Sequence, residues 1–268
     1  QYFEQFVPAI IHFLDNDLIK NEVKAGIVIN TAKLAKFSGE NAIEIISHLI
    51  PNIIEGLQSE EDYYQTQSVV AIRKIKKYLN PQYSADIFSI LIGNLEEAAG
   101  YDTFIEEELL TTSKLLIIAD ESNVETFLNQ SVEFVQTIFD NSWNLLNERP
   151  LIESPHSSDI LPPLCHFFSA IFHYQTNIND TICEFLIQWI EKNSEIDLSE
   201  IVGTLSDCLE YKNVSEEMRQ TILSSVINIM EDANEPSLIQ NLVYLMNLLV
   251  QDEKASALLQ NIVELTPT

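Results

Sequence analysis

Glycine is scarce in this chain, with six among 268 residues. Nucleotide-binding turns, barrel corners and two-residue hairpins need positions that tolerate positive φ or close backbone approach, so those architectures have little to be built from. Basic side chains are also few, 14 Lys+Arg against 41 Asp+Glu, for a net charge of −27. A surface of that sign repels a phosphate backbone and an anionic lipid face, which speaks against nucleic-acid and membrane binding and favours a basic protein partner. The cysteines, Cys165, Cys183 and Cys208, are three in number and widely spaced, and read as buried thiols of a reducing compartment. The longest apolar runs, such as Leu115–Ala119, fall far short of a membrane span. No secretory signal pattern is visible, and the chain opens at Gln1 inside a helical pattern, as expected of a segment of something longer.

Catalytic patterns are missing too. No glycine-rich phosphate loop, H-E-x-x-H, C-x-x-C or G-x-S-x-G occurs. The nearest constellation is Cys165-His166 with His173 and Cys183, conceivable as a metal or thiol–imidazole pair. Its neighbours Leu164, Phe167, Phe168, Ile171 and Phe172 are apolar nearly all round a helix, so these residues read as ordinary core packing. Acidic pairs such as Glu96-Glu97 diverge around a helix and cannot face each other as an acid–base couple. The expectation is a non-enzyme with no catalytic, cofactor or metal site.

What is present is helical periodicity. Apolar residues make up 46% of the chain, enough for a core and too many for a disordered acidic tail. Phe3, Phe6, Val7, Ile10 and Leu14 recur at three- and four-residue steps. Asp15-Asn16-Asp17 breaks that helix, the next spans about 18–37, and Ser38-Gly39 closes it. Further helices are expected near 41–57, 62–79, 83–98, 102–119 and 123–147. The segment 148–158 clusters Pro, Ser and charge and reads as a loop insertion in a continuous array; Pro162-Pro163 then starts a helix in its first turn. Later helices fall near 179–191, 197–211, 215–231, 236–250 and 253–265.

First helices of successive pairs begin near 2, 41, 83 and 123, an interval of about 40 residues. Phe6-Val7-Pro8-Ala9-Ile10 aligns with Leu49-Ile50-Pro51-Asn52-Ile53, and each is followed by an acidic turn. A helix-interior proline costs about 3 kcal/mol, so its return in the next unit points to a shared template. The stretch Phe6 to Ala35, with Val7-Pro8, Asp15, Val23-Lys24 and Ala32-x-Leu34-Ala35, resembles a HEAT repeat. That family bends its first helix at a proline, sets an Asp in the turn and follows a valine with a basic residue in the second helix. The resemblance implies an all-α, right-handed α-solenoid of antiparallel helix pairs, about six repeats, over residues 1–268 as a single segment.

Charge is unevenly distributed. Residues 1–80 carry a net −2 and residues 81–268 carry −25. The run Glu106-Glu107-Glu108, with Asp197 and Glu200, provides the candidate contacts for a basic peptide or domain. Trp143 with Asn147, and Trp189 with Asn193, each stand four residues apart, so each pair offers an indole wall and an amide on one helix face. That pattern is similar to the W-x-x-x-N arrays by which importin-α adaptors bind lysine-rich signals. Repeats, acidity and cysteine usage together resemble the importin-β (karyopherin-β) nuclear transport receptors. The resemblance implies basic cargo on an acidic inner face, release by the GTPase Ran, phenylalanine-glycine nucleoporins in outer clefts, and residence in cytoplasm and nucleus. A non-transport HEAT scaffold, or an assembly chaperone for a ribosomal protein, histone or multi-subunit complex, is the alternative.

Overall fold

The structure is a computed structural model. It describes residues 3–14, 16, 18–39, 42–98, 100, 103–146, 149–154, 157–192, 198–211, 213–232 and 236–250. Among these residues the chain is all-helical, with twelve α-helices and short 3₁₀ turns and no strand. It divides into two compact units, residues 1–154 and 155–268, and the division falls within the Pro- and Ser-rich segment 148–158.

The first unit contains α1 (Phe3–Leu14), α2 (Asn21–Ala35), α3 (Ala42–Leu57), α4 (Asp62–Ile75), α5 (Pro81–Glu97), α6 (Thr103–Ile117) and α7 (Val124–Phe139). Local chemistry sets the boundaries. Gly39 takes a φ of 56° just beyond α2, a conformation open to glycine at no steric cost. Asn80 Oδ1 accepts from the Tyr83 N–H at 2.8 Å, and Pro81 occupies the first helical position, where its missing N–H costs nothing. Within the unit each helix packs on the one two places along, and all but α4 also pack on the next. One layer therefore holds α1, α3, α5 and α7, the other α2, α4 and α6, and successive starts within a layer lie about 40 residues apart. Pro8 and Pro51 lie inside α1 and α3, as the aligned sequence predicts, and both are exposed.

Polar side chains tie one pair to the next at that same interval. Asn94 on α5 donates to the Leu57 carbonyl at 3.1 Å and to Glu108 Oε1 at 2.9 Å. Asn123 donates to the Pro81 carbonyl at 2.7 Å, and Lys24 pairs with Glu55 at 2.8 Å. Tyr64, fully buried, donates its hydroxyl to the Asn52 carbonyl at 2.8 Å and so pins α4 to α3. Phe88 stacks on Phe127 with centroids 3.9 Å apart.

The second unit contains α8 (Ser157–Phe172), α9 (Asn179–Lys192), α10 (Leu198–Glu210), α11 (Glu216–Asp232) and α12 (Pro236–Val250). Helix α10 packs between α8 and α12, while α9 and α11 pair on the other side. Asn213 reaches the Phe172 carbonyl at 2.9 Å, and Asn241 the Ser199 carbonyl at 3.3 Å.

Two expectations are corrected. A single helix over 123–147 does not form: α7 ends at Phe139, Asn141 adopts a φ of 56°, and a 3₁₀ turn follows at Asn144–Leu146. The left-handed residue turns the chain so that the Trp143 indole enters the core and donates to the Leu95 carbonyl. Pro162 and Pro163 lie inside α8, not in its first turn, because the helix already begins at Ser157. The helix expected over 253–265 lies outside the described residues.

Candidate interaction surface

The acidic run on α6 divides three ways. Glu106 is exposed. Glu107 is half-buried and forms an ion pair with Arg73 of α4. Glu108 has no exposed area and accepts from Asn94, so its carboxylate joins α5 to α6 inside the core. Of the three, Glu106 is the most open to solvent, and the other two already serve the fold. On α10, Glu200 is exposed, while Asp197 lies outside the described residues.

Neither indole forms an open wall. Trp143 is 1% exposed and meets Phe134 edge-on at 5.1 Å; Trp189, on α9, has no exposed area and meets Phe185 edge-on at 5.3 Å. Asn147 and Asn193 lie outside the described residues. Burying rings of this size is among the largest single contributions to a core, about 2–3 kcal/mol each, and that is where these two are used.

The cysteines are buried free thiols, as the sequence predicts. Burial pushes the Cys165 thiol up to about 12. Cys183 and Cys208 face each other across α9 and α10 with sulfurs 3.4 Å apart, and the Cys183 thiol is raised by its hydrogen bond to Cys208 and by burial. The histidines depart from the expected core packing: His166 and His173 are both exposed. No group of three metal-ligating side chains occurs among the described residues.

A different cluster forms where α8, α10 and α12 come together, and it contains His173. Two loops meet there, stitched by amides: Asn179 donates to the carbonyls of Tyr174 and Asn213, each at 3.0 Å, and Asp180 Oδ1 accepts from the Ser215 N–H at 3.0 Å. This stitching holds the Tyr211 ring over His173, with centroids 4.1 Å apart and the Tyr211 hydroxyl 3.1 Å from His173 Nε2. From α12, Tyr244 donates to the Glu210 carboxylate. Tyr211 and Tyr244 are 39% and 48% exposed, high for aromatic side chains, and Glu210 is exposed beside them.

Electrostatics fit this cluster to a cation. The Tyr211 hydroxyl is raised by burial and by the charges of Asp207 and Glu210. That of Tyr244 is raised first by its hydrogen bond to Glu210. The same two carboxylates, Asp207 and Glu210, set a negative field around both rings. Sequence reading missed the cluster because its members come from three helices. The available signal was His173 and Tyr211, each placed just beyond the last apolar turn of its helix and separated by nearly one repeat interval.

No helix among the described residues is long and apolar enough to cross a membrane. Comparison with protein-family models, with curated proteins and with solved structures finds no match to this chain.

Proposed function

We propose that this chain is a segment of a right-handed, HEAT-type helical solenoid that performs no catalysis and binds a basic protein partner. The observation that carries the reading is the cluster of exposed Tyr211, Tyr244, His173 and Glu210, with Asp207 half-buried beside them, on a chain of net charge −27. Helices repeating about every 40 residues and tied pair to pair support the architecture. In its specific form the reading is a nuclear transport receptor segment of the importin-β kind, moving between cytoplasm and nucleus, with Ran-GTP releasing cargo and phenylalanine-glycine nucleoporins as further partners.

The test is titration of a fluorescent lysine- and arginine-rich peptide into the wild-type chain and into the Tyr211→Ala/Tyr244→Ala variant. Affinity that weakens with salt and falls about ten-fold in the variant supports the reading. Equal affinity in both proteins overturns the site. Adding GTP-locked Ran to the full-length protein then separates transport from the alternative: displaced cargo marks a receptor, and retained cargo marks a scaffold or assembly chaperone.

A further inference from the structure

Charge of the opposite sign is concentrated on the first unit. Nine of the chain's 14 cations, from Lys20 to Lys114, lie on α2, α4 and α6 or in the turns adjoining them. These three helices run parallel. Lys24 near the start of α2 meets Glu55 near the end of α3, and Tyr64 near the start of α4 meets Asn52 late in α3, so both are antiparallel to α3. Asn21 at the start of α2 also reaches Glu61 at the start of α4, at 3.2 Å. Asn94, late in α5, meets both Leu57 at the end of α3 and Glu108 early in α6, which sets α6 in the same sense.

Parallel packing brings the C-terminal ends of the three helices to one edge. That edge carries Lys33 from the last turn of α2 and Lys36 just beyond it, Arg73 and Lys74 from α4, Lys76 and Lys77 from the 3₁₀ turn that continues α4, and Lys114 from the last turn of α6. The central five are close enough to disturb one another: burial and the charges of Arg73 and Lys74 lower the Lys114 ammonium, and burial with the charges of Lys114, Lys77 and Arg73 lowers that of Lys76. Glu107 faces the group and is held by Arg73. Among the described residues Lys74, Lys76 and Lys77 make no ion pair. Interleaved with the cations are exposed apolar side chains: Phe37 at 81%, Leu34 at 49%, Ile117 at 46% and Ile118 at 41%.

We infer that the edge formed by the ends of α2, α4 and α6 is a docking surface for a short acidic peptide segment of a protein partner, one that alternates carboxylates with apolar side chains. Size selects this occupant over a longer polyanion. Helix axes in contact lie about 8–10 Å apart, so three helix ends span about 20 Å, the length of about six extended residues. A nucleic acid or an anionic membrane, covering a wider area, would also meet the exposed carboxylates Asp120 and Glu121, three and four residues beyond the end of α6. A short peptide stays within the basic zone, and its apolar side chains cover Phe37, Leu34, Ile117 and Ile118. The opposite ends of the same helices carry Glu22, Asp62 and Glu106, so the positive charge of this layer lies at one end only.

Fluorescence anisotropy tests this with the whole chain and a labelled eight-residue peptide alternating aspartate or glutamate with leucine or phenylalanine. Lys74→Glu/Lys77→Glu changes two exposed side chains, and far-UV circular dichroism checks the fold. Saturable binding is expected to weaken about ten-fold in that variant and with rising salt, to hold in Tyr211→Ala/Tyr244→Ala, and to strengthen several-fold in Glu107→Gln. A neutral peptide with glutamine and asparagine in place of the acids should not bind. The inference is overturned if the acidic peptide does not saturate, if Lys74→Glu/Lys77→Glu binds it as wild type does, or if an oligothymidylate or phosphatidylserine vesicles bind this edge more tightly than the peptide.

Discussion

An alanine at Gly56 should unfold this protein more readily, although alanine normally stabilises a helix. Gly56 is buried near the end of α3, against Tyr64 and Ser68 of α4. A Cβ there would overlap the Ser68 hydroxyl and lie 2.7 Å and 2.9 Å from Cε2 and Cδ2 of Tyr64. The serine can rotate away; the tyrosine cannot, being fully buried and held at its hydroxyl by the Asn52 carbonyl. Replacing a helical glycine contributes about 1 kcal/mol, overpacking costs about 1–3 kcal/mol, and loosening a buried hydrogen bond costs about 1–3 kcal/mol more. The net is a loss of about 3 kcal/mol, or about 6–12 °C in Tm for a chain of this size. Gly26, Gly93 and Gly203 provide the control, since a Cβ at any of them meets nothing within 4 Å. Each should raise Tm by about 2–4 °C as alanine. Thermal melts followed by circular dichroism decide the matter, and Gly56→Ala melting at or above wild type would refute the packing argument.

Glu106→Lys should leave stability within about 0.5 kcal/mol of wild type, whereas Glu108→Lys, placing an ammonium in a fully buried site, should cost more than about 3 kcal/mol by urea titration. Trp143→Phe removes the donor to the Leu95 carbonyl and should lower stability by about 2 kcal/mol; a change below about 0.5 kcal/mol would mean that carbonyl finds water. Because the Cys165 thiol is raised from 9.0 to about 12, the folded chain keeps a proton that the unfolded chain loses. The associated stability is fully present below pH 9 and is lost as pH climbs towards 12, so urea midpoints should fall across that window, less steeply in Cys165→Ala. Disulfide-based thiol reagents should label all three buried cysteines only after denaturant is added, and prompt labelling of the native chain would contradict their placement.

Several helix boundaries and the repeat interval were legible in the sequence because both are local: a stop at Ser38-Gly39 and matched prolines at positions 8 and 51 need no distant partner. The end of α7 was not, since asparagine adopts a left-handed conformation only when something rewards it, and here the reward is a carbonyl on α5 for the indole of Trp143. The same limit separated surface from core among the charges. Nothing beside Glu108 in the sequence announces Asn94, which arrives from another helix and turns an apparent contact residue into part of the interior. Tyr211, Tyr244 and His173 were invisible as a group for the converse reason, being neighbours through helix ends some 34–38 residues apart.

The asparagine ties between successive pairs also govern how each unit would respond to force. Asn94, Asn123, Asn213 and Asn241 each clasp a backbone carbonyl about one repeat earlier. Under tension, then, a unit should not rupture at one brittle point; it should peel in short steps, each clasp yielding singly and closing again when the load is released.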